Sequence, residues 1–472
     1  MQSRTKAISL LILISLAVAF VAGCGSGMVT TANTNQLMGT VNSTVSDPPT
    51  CSRGTGGTYQ HVYVTIVDVK VHQSSTAGAT DSGWIDLSPS LASAPKQVDL
   101  LGTASTQCFL AQLGAQQIQA GAYQQIRLLL LANNNASQLS TNACGPSAAN
   151  CVVLANGSVK TLQLSSEAQT GIKIPSGQIA GGGFTVPAGS TVDLNIDFDA
   201  CASIVVTGNG QYRLKPVLHA GEVSLNDTSI SGTVVDSVTL QPIAGKSIVA
   251  LEQKDAAGVD RVIMQTLTDA LGNFTFCPVP TGTYDVVAVG ISTAGVAYAA
   301  TVTSGVQPGN AVGNVPLIAE TGANTTQGSI TGQLTTAAAS AGTAADITLS
   351  ALQSVTINGT ATPVTIPLAQ QLSSTASVTT ASDPSCPVGT FCVSYTLGVP
   401  AANASVGAFS SGGTTYTAGA AAPFNYSVDA QAFVPSSGGT ADCTTSDMQA
   451  GPVSVTAGGS VAATTIAFTG CQ

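Results

Sequence analysis

Charge is scarce in this chain: Asp, Glu, Lys and Arg together make up 8% of its 472 residues, and no lysine, arginine or histidine follows Arg261. The 13 basic residues are outnumbered by 23 acidic ones, giving a formal net charge of -10. A nucleic-acid-binding surface needs basic patches to neutralise phosphate, so that class is excluded. Aromatic residues are rarer still, at 4% with the single tryptophan Trp84, which leaves few rings for stacking against sugars. There are three histidines, His61, His72 and His219, and no CxxC pair, so no spacing fits a zinc site. No GxSxG elbow, HExxH, phosphate loop or dinucleotide fingerprint occurs. His61 and His72 bracket one extended run and would lie about 36 Å apart at ~3.3 Å per residue, too far to share a site. Spacing does not exclude carboxylate pairs of the glycosidase kind, whose partners come from different strands. The expectation is a protein that is not an enzyme.

The chain opens with Arg4 and Lys6 and then the apolar run Ala7 to Ala22, the n-region and h-region of a secretory leader. That run is short of the ~20 residues a membrane span requires. It ends in Val21-Ala22-Gly23-Cys24, which resembles the lipobox of bacterial lipoproteins. The resemblance implies removal of residues 1–23 and lipidation of Cys24, with residues 24–49 read as a linker. Gly25 rather than aspartate follows the cysteine, which favours the outer membrane of a bacterial envelope. Once the leader and its two basic residues are gone, 11 basic residues face the same 23 acidic ones.

Gly, Ser, Thr, Ala and Val dominate the remainder, a composition suited to short strands and tight turns. The fold class read from this is all-β, with tandem β-sandwich domains. Strands are expected at His61 to His72, Gln124 to Ala132, Thr191 to Phe198 and Tyr212 to His219. The ordered segments VYVTIVDVKVH, GWIDL, VDLL, AGAYQQIRLLL, VPAGSTVDLNIDFDACASIV and YRLKPVL, spread over residues 50–225, resemble the bacterial lipoprotein family called domain of unknown function 4382. That family implies a location and a β domain, but no reaction.

Within this region Asp193-Leu-Asn-Ile-Asp-Phe-Asp199 alternates strictly. Leu194, Ile196 and Phe198 would face the core, leaving Asp193, Asn195, Asp197 and Asp199 on the other face about 6.6 to 7 Å apart. Asp193, Asp197 and Asp199 are the candidate hard ligands for Ca²⁺, with another strand or loop completing the shell. The competing reading is a solvated face with Asp199 shaping a turn.

Residues 228–320 contain SISGTVVDSVTLQPIAGKSIVALEQ and then TLTDALGNFTFCPVPTGTYDVVAVG, which together resemble a carboxypeptidase regulatory-like domain, a transthyretin-like β-sandwich. The peptidase zinc ligands lie in a different domain, so the resemblance implies no catalytic residue. In residues 327–472, GSITGQLTT and YSVDAQAFV echo TSISGTVVD and YDVVAVGIS. This suggests a diverged repeat of the second domain, against the rival reading of a Ser, Thr and Ala-rich stalk.

Eleven cysteines less the lipidated one leave an even number, as expected for disulfides in an oxidising compartment. Spacing pairs Cys144 with Cys151, Cys386 with Cys392 and Cys443 with Cys471, while Cys51, Cys108, Cys201 and Cys277 admit three pairings. The whole reads as a non-catalytic, lipid-anchored envelope protein whose sandwiches serve binding, adhesion or structure, partnered by the membrane and an envelope protein or glycan. The alternative is a carbohydrate-binding accessory lipoprotein of a surface nutrient system.

Overall fold

Alternating Val, Ile, Leu and Thr produce strands throughout the computed structural model, which describes residues 37–47, 59–101, 110–164, 167–206, 210–223, 229–337, 345–434, 443–445 and 447–469. The fold is all-β, built of tandem sandwiches. Among the described residues no helix is long and apolar enough to cross a membrane. Cys24 and the leader lie outside the described residues.

Six strands frame the first lobe: β1 (Met38–Ser46), β2 (Tyr59–His72), β3 (Ala111–Gln119), β4 (Gln125–Leu130), β5 (Thr191–Phe198) and β6 (Leu218–Glu222). Residues 38–46, expected as part of a linker, instead form β1, an interior strand lying parallel to β5 and antiparallel to β3. Val41 and Val45 explain the difference, since both are fully buried in the lobe's core with Leu194, Ile196 and Phe198. The expected strand from Tyr212 to His219 is also corrected. Pro216 lacks a backbone donor, and the run splits into Tyr212–Leu214 in one sheet and β6 in the other.

The second lobe contains β7 (Ile230–Asp236), β8 (Gly245–Lys254), β9 (Asp260–Leu267), β10 (Asn273–Phe276), β11 (Tyr284–Ser292), β12 (Ala297–Val306) and β13 (Ala311–Leu317). Between β9 and β10, Asp269 accepts hydrogen bonds from the backbone N–H groups of Leu271 and Asn273. Gly272 there takes φ +78, the left-handed conformation that glycine adopts without strain. Phe274 and Phe276 then point together into the core, edge to face at 5.8 Å.

The third lobe contains β14 (Gly328–Ala337), β15 (Asp346–Ile357), β16 (Thr360–Ile366), β17 (Thr390–Val399), β18 (Ser405–Ala408), β19 (Phe424–Val434), β20 (Met448–Val455), β21 (Ser460–Ala462) and β22 (Ile466–Phe468). It is a packed sandwich, and its pairing repeats that of the second lobe. β7 lies between antiparallel β10 and parallel β13, and β14 likewise lies between antiparallel β17 and parallel β21 and β22. β8 sits between antiparallel β9 and β11, just as β15 sits between antiparallel β16 and β19.

The two lobes are joined by their sheets. β16 meets β9 in parallel at one pair, Asp260 with Val364, and β18 adds in parallel to β12 along Thr301 to Ser304, so strands of the third lobe cover part of both edges of the second lobe's main sheet. Lysines commonly guard such edges against pairing with other chains. Here, in a stretch without lysine, covering strands do that work. The faces are closed as well. Val286 and Ala288 pack inside the second lobe, whereas Val287 and Val302 pack into the core of the third and Val289 packs with Ile248, Ile291 and Ala369. Burial on both faces explains why YDVVAVGI is apolar nearly throughout instead of alternating. Each Val or Ile buried at this joint contributes about 1.5–3 kcal/mol.

Candidate functional site

The aspartate row of β5 is placed as the alternation requires, but it is not solvated. Asn195, Asp197 and Asp199 are buried because β1 and the second lobe cover that face. Asn42 of β1 donates to Asp193 at 2.7 Å, Thr44 donates to the Asn195 side-chain oxygen, and the Asn195 amide donates to Ser46. Gln265 of β9 donates to Asp199. Asp47 faces the same cluster and accepts from the Ala200 N–H. Burial, reinforced by the charge of Asp199, raises the pKa values of both Asp47 and Asp197 well above the usual carboxylate range; the nearby Ser46 hydroxyl offsets this only partly for Asp197. The candidate Ca²⁺ ligands are thus distributed along the strand with different partners. Among the described residues no group of three or more His, Cys, Asp and Glu is arranged to hold a metal ion.

The other singled-out residues have structural surroundings. His61 pairs with Asp99 at 2.7 Å, and His72 packs against Trp84. Trp84 donates to the Gly78 carbonyl and lies under the Arg127 guanidinium, so it is no open stacking platform. Disulfides join Cys144 to Cys151 and Cys386 to Cys392. Cys277 is also disulfide-bonded. Cys51, Cys108 and Cys471, and the side chains of Cys201 and Cys443, lie outside the described residues.

A second acidic cluster, not anticipated from the sequence, sits where the second lobe meets the third. Glu252 of β8, Asp260 of β9 and Asp285 lie together, and the Thr365 N–H of β16 donates to Glu252 at 3.1 Å. One oxygen each of Glu252 and Asp260 has no hydrogen-bond partner. Burial, followed by the neighbouring Asp285 carboxyl, pushes Asp260 up to about 8, and burial with Asp260 beside it raises Glu252 strongly.

Arg261, next along β9, ties the same joint. Its guanidinium contacts Asp255 at 3.0 Å, Asp447 at 2.8 Å and Asp429 of β19 at 2.5 Å. Burial alone would lower its pKa, but the three carboxylates outweigh burial and raise it.

Beside this arginine a cleft of about 360 Å³ opens between all three lobes. One wall is a polar strip of the shared sheet, where Thr348 and Ser350 of β15 stand beside Gln431 and Asp429 of β19. The same alternation sends Ile347, Leu349 and Ala351 into the core. The opposite wall comes from the first lobe, at Ser176 to Gln178, Pro216, Val217 and His219. Among the described residues no Phe, Tyr or Trp lines the cleft. A neighbouring cavity of about 130 Å³ contains Lys215, paired with Asp346 at 3.7 Å. No motif marks this cleft in the sequence, since its residues come from strands far apart; the lone Arg261 before a stretch without bases was the one available signal.

Residues 38–216 match the family described as Domain of unknown function (DUF4382). The matched segment therefore begins with β1 and ends at the Pro216 break, and it supplies the first-lobe wall of the cleft except for Val217 and His219. A search of curated proteins finds no match. Similar solved structures include a leucine-rich repeat protein from Bacteroides thetaiotaomicron VPI-5482, 10% identical over 51% of this chain and 26% of its own, with a TM-score of 0.19. A DUF3823 family protein from Bacteroides uniformis ATCC 8492 is 12% identical over 48% of this chain and 98% of its own, TM-score 0.16. The shaft pilin SpaA from Lactobacillus rhamnosus GG is 10% identical over 60% of this chain and 98% of its own, TM-score 0.17. The chain spans about a quarter of the length of the first of these. Similarity at this level carries nothing about function.

Proposed function

We propose that the protein is a non-catalytic, lipid-anchored component of a bacterial cell envelope, in which residues 228–320 form a carboxypeptidase regulatory-like sandwich and residues 327–472 its diverged repeat. The observation that carries the structural part of this reading is the shared sheet. Part of both edges and the outer face of the second sandwich are covered by the third, so these two lobes act as one block. The charged groups at their joint support the same reading, because Arg261 is held by three carboxylates and Glu252 holds a backbone N–H of the neighbouring lobe.

The anchor is tested by Cys24→Ser. The unaltered protein is expected in the detergent phase of a membrane extract, while the serine variant is expected unprocessed or released. A serine variant processed and retained like the unaltered protein would refute lipidation at this residue.

A further inference from the structure

Three features attract a ligand hypothesis: the aspartate cluster under β5, the carboxyl cluster at the joint, and the cleft between the lobes. Both clusters are buried under neighbouring strands, and Asp47, Asp197, Glu252 and Asp260 keep oxygens there without hydrogen-bond partners. The cleft is open and has polar atoms left over.

We propose that the cleft between the three lobes binds a small neutral polyhydroxylated molecule of mono- to disaccharide size. Its volume, about 360 Å³, falls within the range of small-molecule sites. Two of its lining residues carry buried, unpartnered polar atoms, the hydroxyl of Ser374 and Nδ1 of His219. Such groups are rare in folded proteins unless a ligand or water satisfies them. Thr348, Ser350 and Gln431 add side chains able both to donate and to accept, as a hydroxyl group also does. Charge narrows the class. Asp255, Asp429 and Asp447 outnumber Arg261, so anionic sugars, phosphates and nucleotides are repelled. The carboxylates are already engaged, Asp429 by Arg261 and Gln449 and Asp447 by Arg261 and Gln431, which weakens their pull on a ligand ammonium group. With no Phe, Tyr or Trp in the lining, recognition depends on hydrogen bonds, and affinity should be modest. This inference does not depend on the lipid anchor.

Calorimetry or saturation-transfer NMR on the full mature chain would use glucose, galactose, mannose, N-acetylglucosamine, maltose and cellobiose, with glucuronate and spermidine as charged controls. At least one neutral saccharide is expected to bind better than either control. Ser350→Phe, which places a ring in the cleft, should abolish that binding. Gln431→Ala, at a half-buried position, should weaken it by about tenfold, the loss expected for hydrogen bonds left unmade. The milder variant decides the matter if the phenylalanine disturbs folding. The proposal is overturned if no neutral saccharide binds, if a charged control binds better, or if Gln431→Ala and a folded Ser350→Phe leave binding unchanged.

Discussion

Between pH 5 and pH 9 the melting temperature of the protein is expected to fall steadily, in contrast to the usual stability plateau near neutrality. The reason is its buried carboxyls. Asp260 rises from the ordinary 3.8 to about 8, while Glu252, Asp47 and Asp197 are raised strongly in the same direction, all through burial first. A carboxyl whose folded pKa exceeds its unfolded one contributes stability that is complete below the unfolded value and is lost as pH climbs through the folded value. For Asp260 that window runs from about 4 to about 8. Glu320, pushed up to about 7 by burial, adds to the trend. His219, pushed down to about 4, opposes it between its folded value and the ordinary 6.5, but one imidazole does not outweigh several carboxyls. Asp260→Asn and Glu252→Gln should each flatten the curve, and the glutamine retains an oxygen for the Thr365 N–H. A melting temperature constant or rising from pH 5 to 9 would refute this account of the joint.

Replacing Arg261 with leucine should destabilise the protein by about 3–5 kcal/mol, because the variant leaves carboxylates at the joint without their cation. A fall in melting temperature of roughly 5–10 °C would follow. The salt bridge to the nearly buried Asp429 is the principal term, with exposed Asp447 contributing little. Adding Asp429→Asn to Arg261→Leu should recover part of the loss, since it removes the stranded charge. Thermal melts of the two single variants and the double variant measure this. Strictly additive losses would show that Arg261 and Asp429 do not act as a pair.

Much of the strand pattern is legible in the sequence, and the joints are not. DLNIDFD announces β5 and its core face because the alternation is local to seven residues. It does not announce that Asn195, Asp197 and Asp199 are buried, since the covering groups Thr44, Ser46 and Gln265 come from remote segments. The linker reading missed β1 because TVNSTVS has only two apolar side chains to mark it, Val41 and Val45. In the third lobe the echo of YDVVAVGIS in YSVDAQAFV marks equivalent strands, β11 and β19. What the echo leaves hidden is that β18 crosses to the edge of β12, a pairing set by tertiary packing. The cleft is hidden for the same reason: each lobe contributes a few ordinary Ser, Thr and Gln residues.

The central claim, that the second and third sandwiches form one cooperative unit through a shared sheet, is tested most directly by native-state hydrogen exchange of the mature protein in rising denaturant, read by mass spectrometry. Peptides from Ser247 to Val306 and from Asp346 to Val434 should lose protection together, at the same denaturant concentration and with the same slope. Loss of protection in 346–434 while 247–306 stays protected, or the reverse, would show two independently folding sandwiches and contradict the account.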